Sequence, residues 1–167
     1  MKLVIGIDPG KKGAVVALGL TGKAVEWMAA DEPGGYVDGG QYLPRVLADW
    51  LGDLTIANDV VLVVIEKQQA RPVEGRTSCL TTGYGWGLLT GLIASAKLPR
   101  LDVTASVWVK AILGTAKGER KARSVAHCQA RVPDLPLTWG RRRKAHDGLA
   151  DAANLALYGL RNLPITG

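Results

Sequence analysis

The chain has 167 residues and carries a formal charge of +6, from 21 Lys and Arg against 15 Asp and Glu. Hydrophobic residues make up 47% and charged residues 22%, an ordinary globular balance that excludes a disordered tail protein. The longest apolar run, Val60 to Ile65, falls far short of the roughly 20 residues a bilayer helix needs. The apolar stretch after Lys2 is likewise too short for a secretory signal. One α/β domain over residues 1–167, not secreted and without a membrane, is the expectation. Cys79 and Cys128 are too few for a disulfide framework and form no Cys-x-x-Cys pair, so both read as small buried hydrophobes.

The charge is unevenly spread. Residues 1–66 hold five basic and nine acidic residues, a net of −4, whereas residues 67–167 hold sixteen and six, a net of +10. A basic face of that size is either simply solvated or faces a polyanion such as nucleic acid.

In chain order, Lys2–Asp8, Gly13–Leu20 and Lys23–Met28 read as three strands, broken by Pro9-Gly10 and turned at Thr21-Gly22. Residues 31–40 carry four Gly and a Pro and read as a loop. Leu43, Val46, Leu47, Trp50, Leu51 and Leu54 have helical spacing within 41–54. Asp59–Glu66 is a short continuous apolar run ending in an acid, the pattern of a strand buried on both faces. A helix is expected over about 77–96, a strand at Leu101–Val103 and a helix over Thr104–Leu113, stopped by Gly114. The basic segment 117–123 opens a further helix that ends before Pro133. A loop over 133–144 closes on Arg141-Arg142-Arg143-Lys144, and an amphipathic helix fills about 146–161. The order predicts a mixed central β-sheet with helices.

Four acids occupy special places in this order. Asp8 and Glu66 end strands, and Asp147 and Asp151 lie four apart at the start of the last helix, hence on one face. Singly, each has an ordinary role: a turn cap for Asp8, an ion pair with Lys67 for Glu66, a helix cap for Asp147, an exposed helix acid for Asp151. Together they are less ordinary. Were the two strands neighbours, their acids would sit about 5 Å apart, and the helix pair could close over them. Four carboxylates so arranged suit Mg²⁺ or Mn²⁺, and two such ions can clamp the attacking and leaving oxygens of a phosphoryl transfer.

At these residues the sequence resembles the RuvC-type Holliday junction resolvases, the phage-like branch most nearly. The resemblance rests on Ile5-Gly6-Ile7-Asp8-Pro9-Gly10, Val64-Ile65-Glu66 and Lys144-Ala145-His146-Asp147-Gly148-Leu149-Ala150-Asp151-Ala152. Trp108-Val109-Lys110-Ala111-Ile112-Leu113-Gly114, with Lys121, Ser124, Ala126 and Pro133, continues it, so that nearly the whole chain is covered in order. The resemblance implies an RNase H-like fold with helices on both sheet faces, a homodimer, and structure-selective cleavage of four-way DNA junctions in a bacterial or phage-infected cytoplasm. It implies that Asp8, Glu66, Asp147 and Asp151 hold two Mg²⁺ or Mn²⁺ ions. It also implies phosphate contacts from Lys110, Lys117 and Lys121.

Arg71, Arg76, Arg141, Arg142, Arg143 and Lys144 are further candidates for DNA contact, and Trp139 is either a base-stacking aromatic or a loop plug. His146 adjoins the acid pair and is expected to flank the site. The chain has no Phe, and Lys67-Gln68-Gln69 follow Glu66 where bacterial members carry an aromatic wedge. Gly83, Gly87 and Gly91 recur every four residues, which fits either close packing on the chain's own sheet or a homodimer contact. The alternatives are a broader branched-DNA, flap or RNA–DNA hybrid nuclease, a sugar or acetate kinase-like ATPase sharing the strand-Asp-x-Gly opening, and a silent DNA-binding module. The ATPase needs two such domains and the silent module would not keep four acids.

Overall fold

The computed structural model describes residues 1–68 and 75–163. Three antiparallel strands open the chain: β1 (Lys2–Asp8), β2 (Ala14–Gly19) and β3 (Ala24–Ala29). The expected loop then contains a short hairpin, β4 (Val37–Asp38) and β5 (Gln41–Tyr42), where glycines at positive φ turn the chain at Gly39 and Gly40. Helix α1 (Pro44–Ala57) therefore starts three residues later than its periodicity suggests, with Pro44 in its first turn, where a missing N–H costs nothing. Strand β6 (Asp59–Glu66), helix α2 (Arg76–Ser95), strand β7 (Arg100–Val103) and helices α3 (Ala105–Leu113), α4 (Arg120–Arg131) and α5 (Asp147–Asn162) follow. Gly114 closes α3 at a φ of 71°, a conformation that needs glycine.

The five main strands lie in the order β3-β2-β1-β6-β7. β6 and β7 run parallel to β1, so the sheet is mixed. Alternation along each strand divides the core. Leu3, Ile5, Val15, Ala17, Val63 and Ile65 face α1 and α2, while Val4, Val16, Leu18 and Val64 face α5 with α3 and α4 behind it. Helices therefore cover both faces.

Helix α5 lies unusually close to β1. A Cβ on Gly6 would lie 2.5 Å from the Ala156 nitrogen and closer still to the Ala152 carbonyl oxygen. A Cβ on Gly159 would meet Val4 and Val64 methyl groups at 2.7 Å. Glycine on both partners, with Ala150, Ala152, Ala153 and Ala156 buried on α5, lets the helix backbone lie directly on the strand. No helix of the described residues is long and apolar enough to cross a membrane.

Candidate active site

β1 and β6 are neighbours, with Ile7 opposite Ile65. The next residues are Asp8 and Glu66, so the strand-end acids lie about one strand spacing, 4.8 Å, apart. Both point to the face that α5 covers, since Gly6 and Val64, two residues back, do. The tight seat of α5 then brings its first two turns over them. A second close contact fixes the height: a Cβ on Gly148 would stand 3.0 Å from the Gly13 Cα and nearer still to the Lys12 carbonyl. Asp147 and Asp151 flank Gly148 on this helix.

The four carboxylates form one electrostatic group. Burial pushes the Asp8 carboxyl well above its ordinary 3.8, and the negative charges of Asp151, Glu66 and Asp147 push it further, against the opposing pull of Arg120. Asp151 is almost wholly buried, and burial raises it too, against a hydrogen bond from the Ser124 hydroxyl and the Arg120 guanidinium 3.0 Å away. Asp147 is half-buried. Burial raises it, but the hydrogen bond and charge of Lys121 outweigh that and hold it below the usual range. Glu66 accepts a 2.8 Å hydrogen bond from the Trp108 indole N–H.

All donors to a cation here are hard oxygens, the chemistry Mg²⁺ and Mn²⁺ prefer. By donor chemistry, four carboxylates drawn from two strand ends and one helix, the residues fit the group. Among the described residues, however, no three His, Cys, Asp or Glu side chains are grouped so as to hold one ion together. The helix acids are instead engaged by Lys121, Arg120 and Ser124.

His146 is the N-cap of α5, next to Asp147. Its Nδ1 accepts the Leu149 N–H at 3.0 Å, its Nε2 lies 3.4 Å from Asp31, and its ring stacks on Trp139. Trp139 is a loop plug: it packs on Trp27 with centroids 5.2 Å apart and donates its indole N–H to Glu32. Arg142 also pairs with Glu32 and lies over the Trp139 ring, which sets it apart from its neighbours in the basic run. Arg141, Arg143 and Lys144 beside it are exposed, as are Lys110, Lys117 and Arg76. Lys121 pairs with Asp147. Arg71 lies outside the described residues.

Three site neighbours escaped the charge and spacing arguments. Arg120 pairs with Asp151, Trp108 holds Glu66, and Asn154 donates its amide N–H to Ser124 while its Oδ1 accepts from His127 Nδ1 at 2.7 Å. A signal existed for two: Arg120 and Ser124 are four apart on one face of α4, and Asn154 is three past Asp151 on α5. The glycine stripe also resolves. Gly83, Gly87 and Gly91 are exposed and a Cβ on any of them meets nothing within 4 Å, so the stripe does not pack on the chain's own sheet. Gly85, on the opposite side, does face inward, against the Tyr42 ring.

The fold is that of the RuvC-type resolvases. Superposition on the Thermus thermophilus RuvC solved with a Holliday junction substrate gives a TM-score of 0.63 over 95% of each chain, at 14% identity. The yeast mitochondrial Holliday junction resolvase Ydc2 gives 0.59 over 95% of this chain and 77% of that one, at 16% identity. The Fowlpox virus resolvase, solved with junction DNA, gives 0.54 over 96% and 99%, at 15% identity. No protein-family profile and no curated protein matches the sequence. The RNase H-like architecture, with its mixed sheet between helices, is thus shared across these chains.

Proposed function

We infer that the protein is a metal-dependent endonuclease that cuts branched DNA, with four-way junctions as the preferred substrate. The observation that carries this is the placement of Asp8 and Glu66 at the ends of adjacent parallel strands, with Asp147 and Asp151 in the first turns of the helix seated against β1. The fold shared with resolvases, two of them solved on junction DNA, supports the substrate class.

In this reading the four carboxylates hold two Mg²⁺ or Mn²⁺ ions, which supply a hydroxide nucleophile at neutral pH and charge neutralisation on the phosphate. The chain's own residues prepare the site. Asp151 is almost wholly buried, and the Ser124 hydroxyl and the Arg120 guanidinium oppose the rise that burial imposes on its carboxyl. Lys121 and Arg120 balance the charge of the helix acids, and Lys121, which is exposed, would also meet a phosphodiester bound beside them. Lys110, Lys117, Arg141, Arg143 and Lys144 supply phosphate contacts that position the strand. The exposed stripe of α2, next to exposed Leu80 and Tyr84, supports a two-fold dimer that sets two sites against a two-fold junction.

Asp8→Asn and Glu66→Gln test the assignment. Each should abolish cleavage of a synthetic four-way junction in Mn²⁺ while leaving its gel-shift affinity intact. Turnover at the wild-type rate in either variant would reject the site.

A further inference from the structure

The Trp108 indole sits on the inner side of the acid cluster. The side chain is completely buried, at the fourth position of α3. Its place follows from the sheet register: Glu66 pairs with Val103 at the end of β7, and α3 begins two residues later, so its first turn returns Trp108 to the end of β6. Its N–H donates to Glu66 Oε2 at 2.8 Å, a charge-assisted bond in a partly buried setting. Its ring carries the Arg120 guanidinium, 5.8 Å from the centroid, and Arg120 in turn pairs with Asp151. One side chain is thereby joined to acids on two different elements.

We propose that Trp108 is a positioning residue for metal uptake: its N–H locks the Glu66 carboxylate in one orientation, so that the cluster is set before a divalent cation arrives. This rests on the metal-site reading above. A buried indole needs some acceptor, and a backbone carbonyl would serve for stability alone. An acid at a strand end is a different choice, because the bond then governs how a long, flexible ligand is presented. The bond also draws a little charge from the carboxylate, which weakens it as a donor to metal. Orientation outweighs that, since ordering a long carboxylate side chain before the cation arrives removes part of the rotamer entropy that binding would otherwise cost. Loss of such a supporting bond typically weakens metal binding about 10–100-fold.

The test is Mn²⁺ titration of the metal-free protein, read by electron paramagnetic resonance of the free ion. Trp108→Phe removes the N–H but also shrinks the ring. A second variant therefore carries β-(3-benzothienyl)alanine at position 108, which keeps the bicycle and replaces N–H by sulfur. Both should bind Mn²⁺ about 10–100-fold more weakly than wild type, with junction cleavage recovering at high Mn²⁺ and the benzothienyl variant melting close to wild type. Benzothienyl protein that binds Mn²⁺ as tightly as wild type overturns the proposal, whatever its melting temperature. Wild-type protein that takes up no Mn²⁺, or takes it up no better than Glu66→Gln, defeats the metal-site reading and this inference with it.

Discussion

Gly6→Ala places one methyl group where the sequence of α5 leaves no room. The new Cβ would stand 2.5 Å from the Ala156 nitrogen, and nearer to the Ala152 oxygen. Ordinary contact begins at about 3.5 Å, so helix and strand must part by about 1 Å or more. Both obstacles are helix backbone and cannot rotate away. Overpacking of this kind costs about 1–3 kcal/mol, which is a fall of several degrees in melting temperature for a domain of this size. Activity should suffer more than stability, because α5 carries Asp147 and Asp151, and a misplacement of about 1 Å can cost about 100-fold in rate. Gly52→Ala is the matched control. It lies inside α1 and its Cβ would meet nothing within 4 Å. There the same substitution should stabilise by about 0.5–1 kcal/mol, since alanine is the better helix former. Urea unfolding and junction cleavage on both variants decide the matter. Gly6→Ala protein with wild-type stability and rate would refute the account of how α5 is seated.

Asp8 ties stability to pH in the metal-free protein. Its folded-state pKa lies above the unfolded 3.8, so the folded chain binds the proton more tightly. Stability from this group is full below 3.8 and is lost as pH rises through the folded value; Asp151 acts with the same sign and Asp147 with the opposite one. Asp8→Asn should therefore raise the neutral-pH melting temperature of metal-free protein and flatten its decline with pH, as scanning calorimetry would show; a lowered melting temperature contradicts the burial argument. Arg120→Ala strips a cation from a nearly buried acid and should cost about 1–3 kcal/mol, whereas Lys121→Ala, at an exposed lysine, should cost under about 1 kcal/mol. Equal losses in chemical denaturation would show that burial does not distinguish the two pairs. Sedimentation should find a dimer at micromolar concentration that Gly87→Leu converts to monomer; a wild-type monomer counts against the role given to the exposed stripe.

Much of this arrangement is legible in the sequence because its signals are local. Asp59–Glu66 ends where its apolar run ends, and the β1–β2–β3 meander follows its turn residues. Asp8, Glu66 and Asp147 stand out because each occupies an element boundary, and Asp151 because it lies four residues past Asp147 on one helix face. What the sequence conceals is partnership across distance. Arg142 reads as one of four equivalent cations, yet Glu32, 110 residues away, claims it through a loop fold that no spacing reveals. Arg120 and Trp108 acquire their roles only when α3 and α4 close against α5. The β4–β5 hairpin is hidden for another reason: two-residue strands are too short to show alternation, and glycines dominate their segment. Gly83, Gly87 and Gly91 show a period but not a direction. Helical spacing gives the face they share, and only the packed structure shows that Gly85, between them, is the one that points inward.

The central claim is best tested by incubating the wild-type protein with end-labelled four-way junctions and with linear duplex of the same sequence, in Mn²⁺ and in EDTA. Paired cuts in opposing junction strands, leaving ends that ligase can reseal, with linear duplex intact and no cutting in EDTA, is the predicted result. Cleavage of both substrates at the same rate, or cleavage that persists in EDTA, would contradict it.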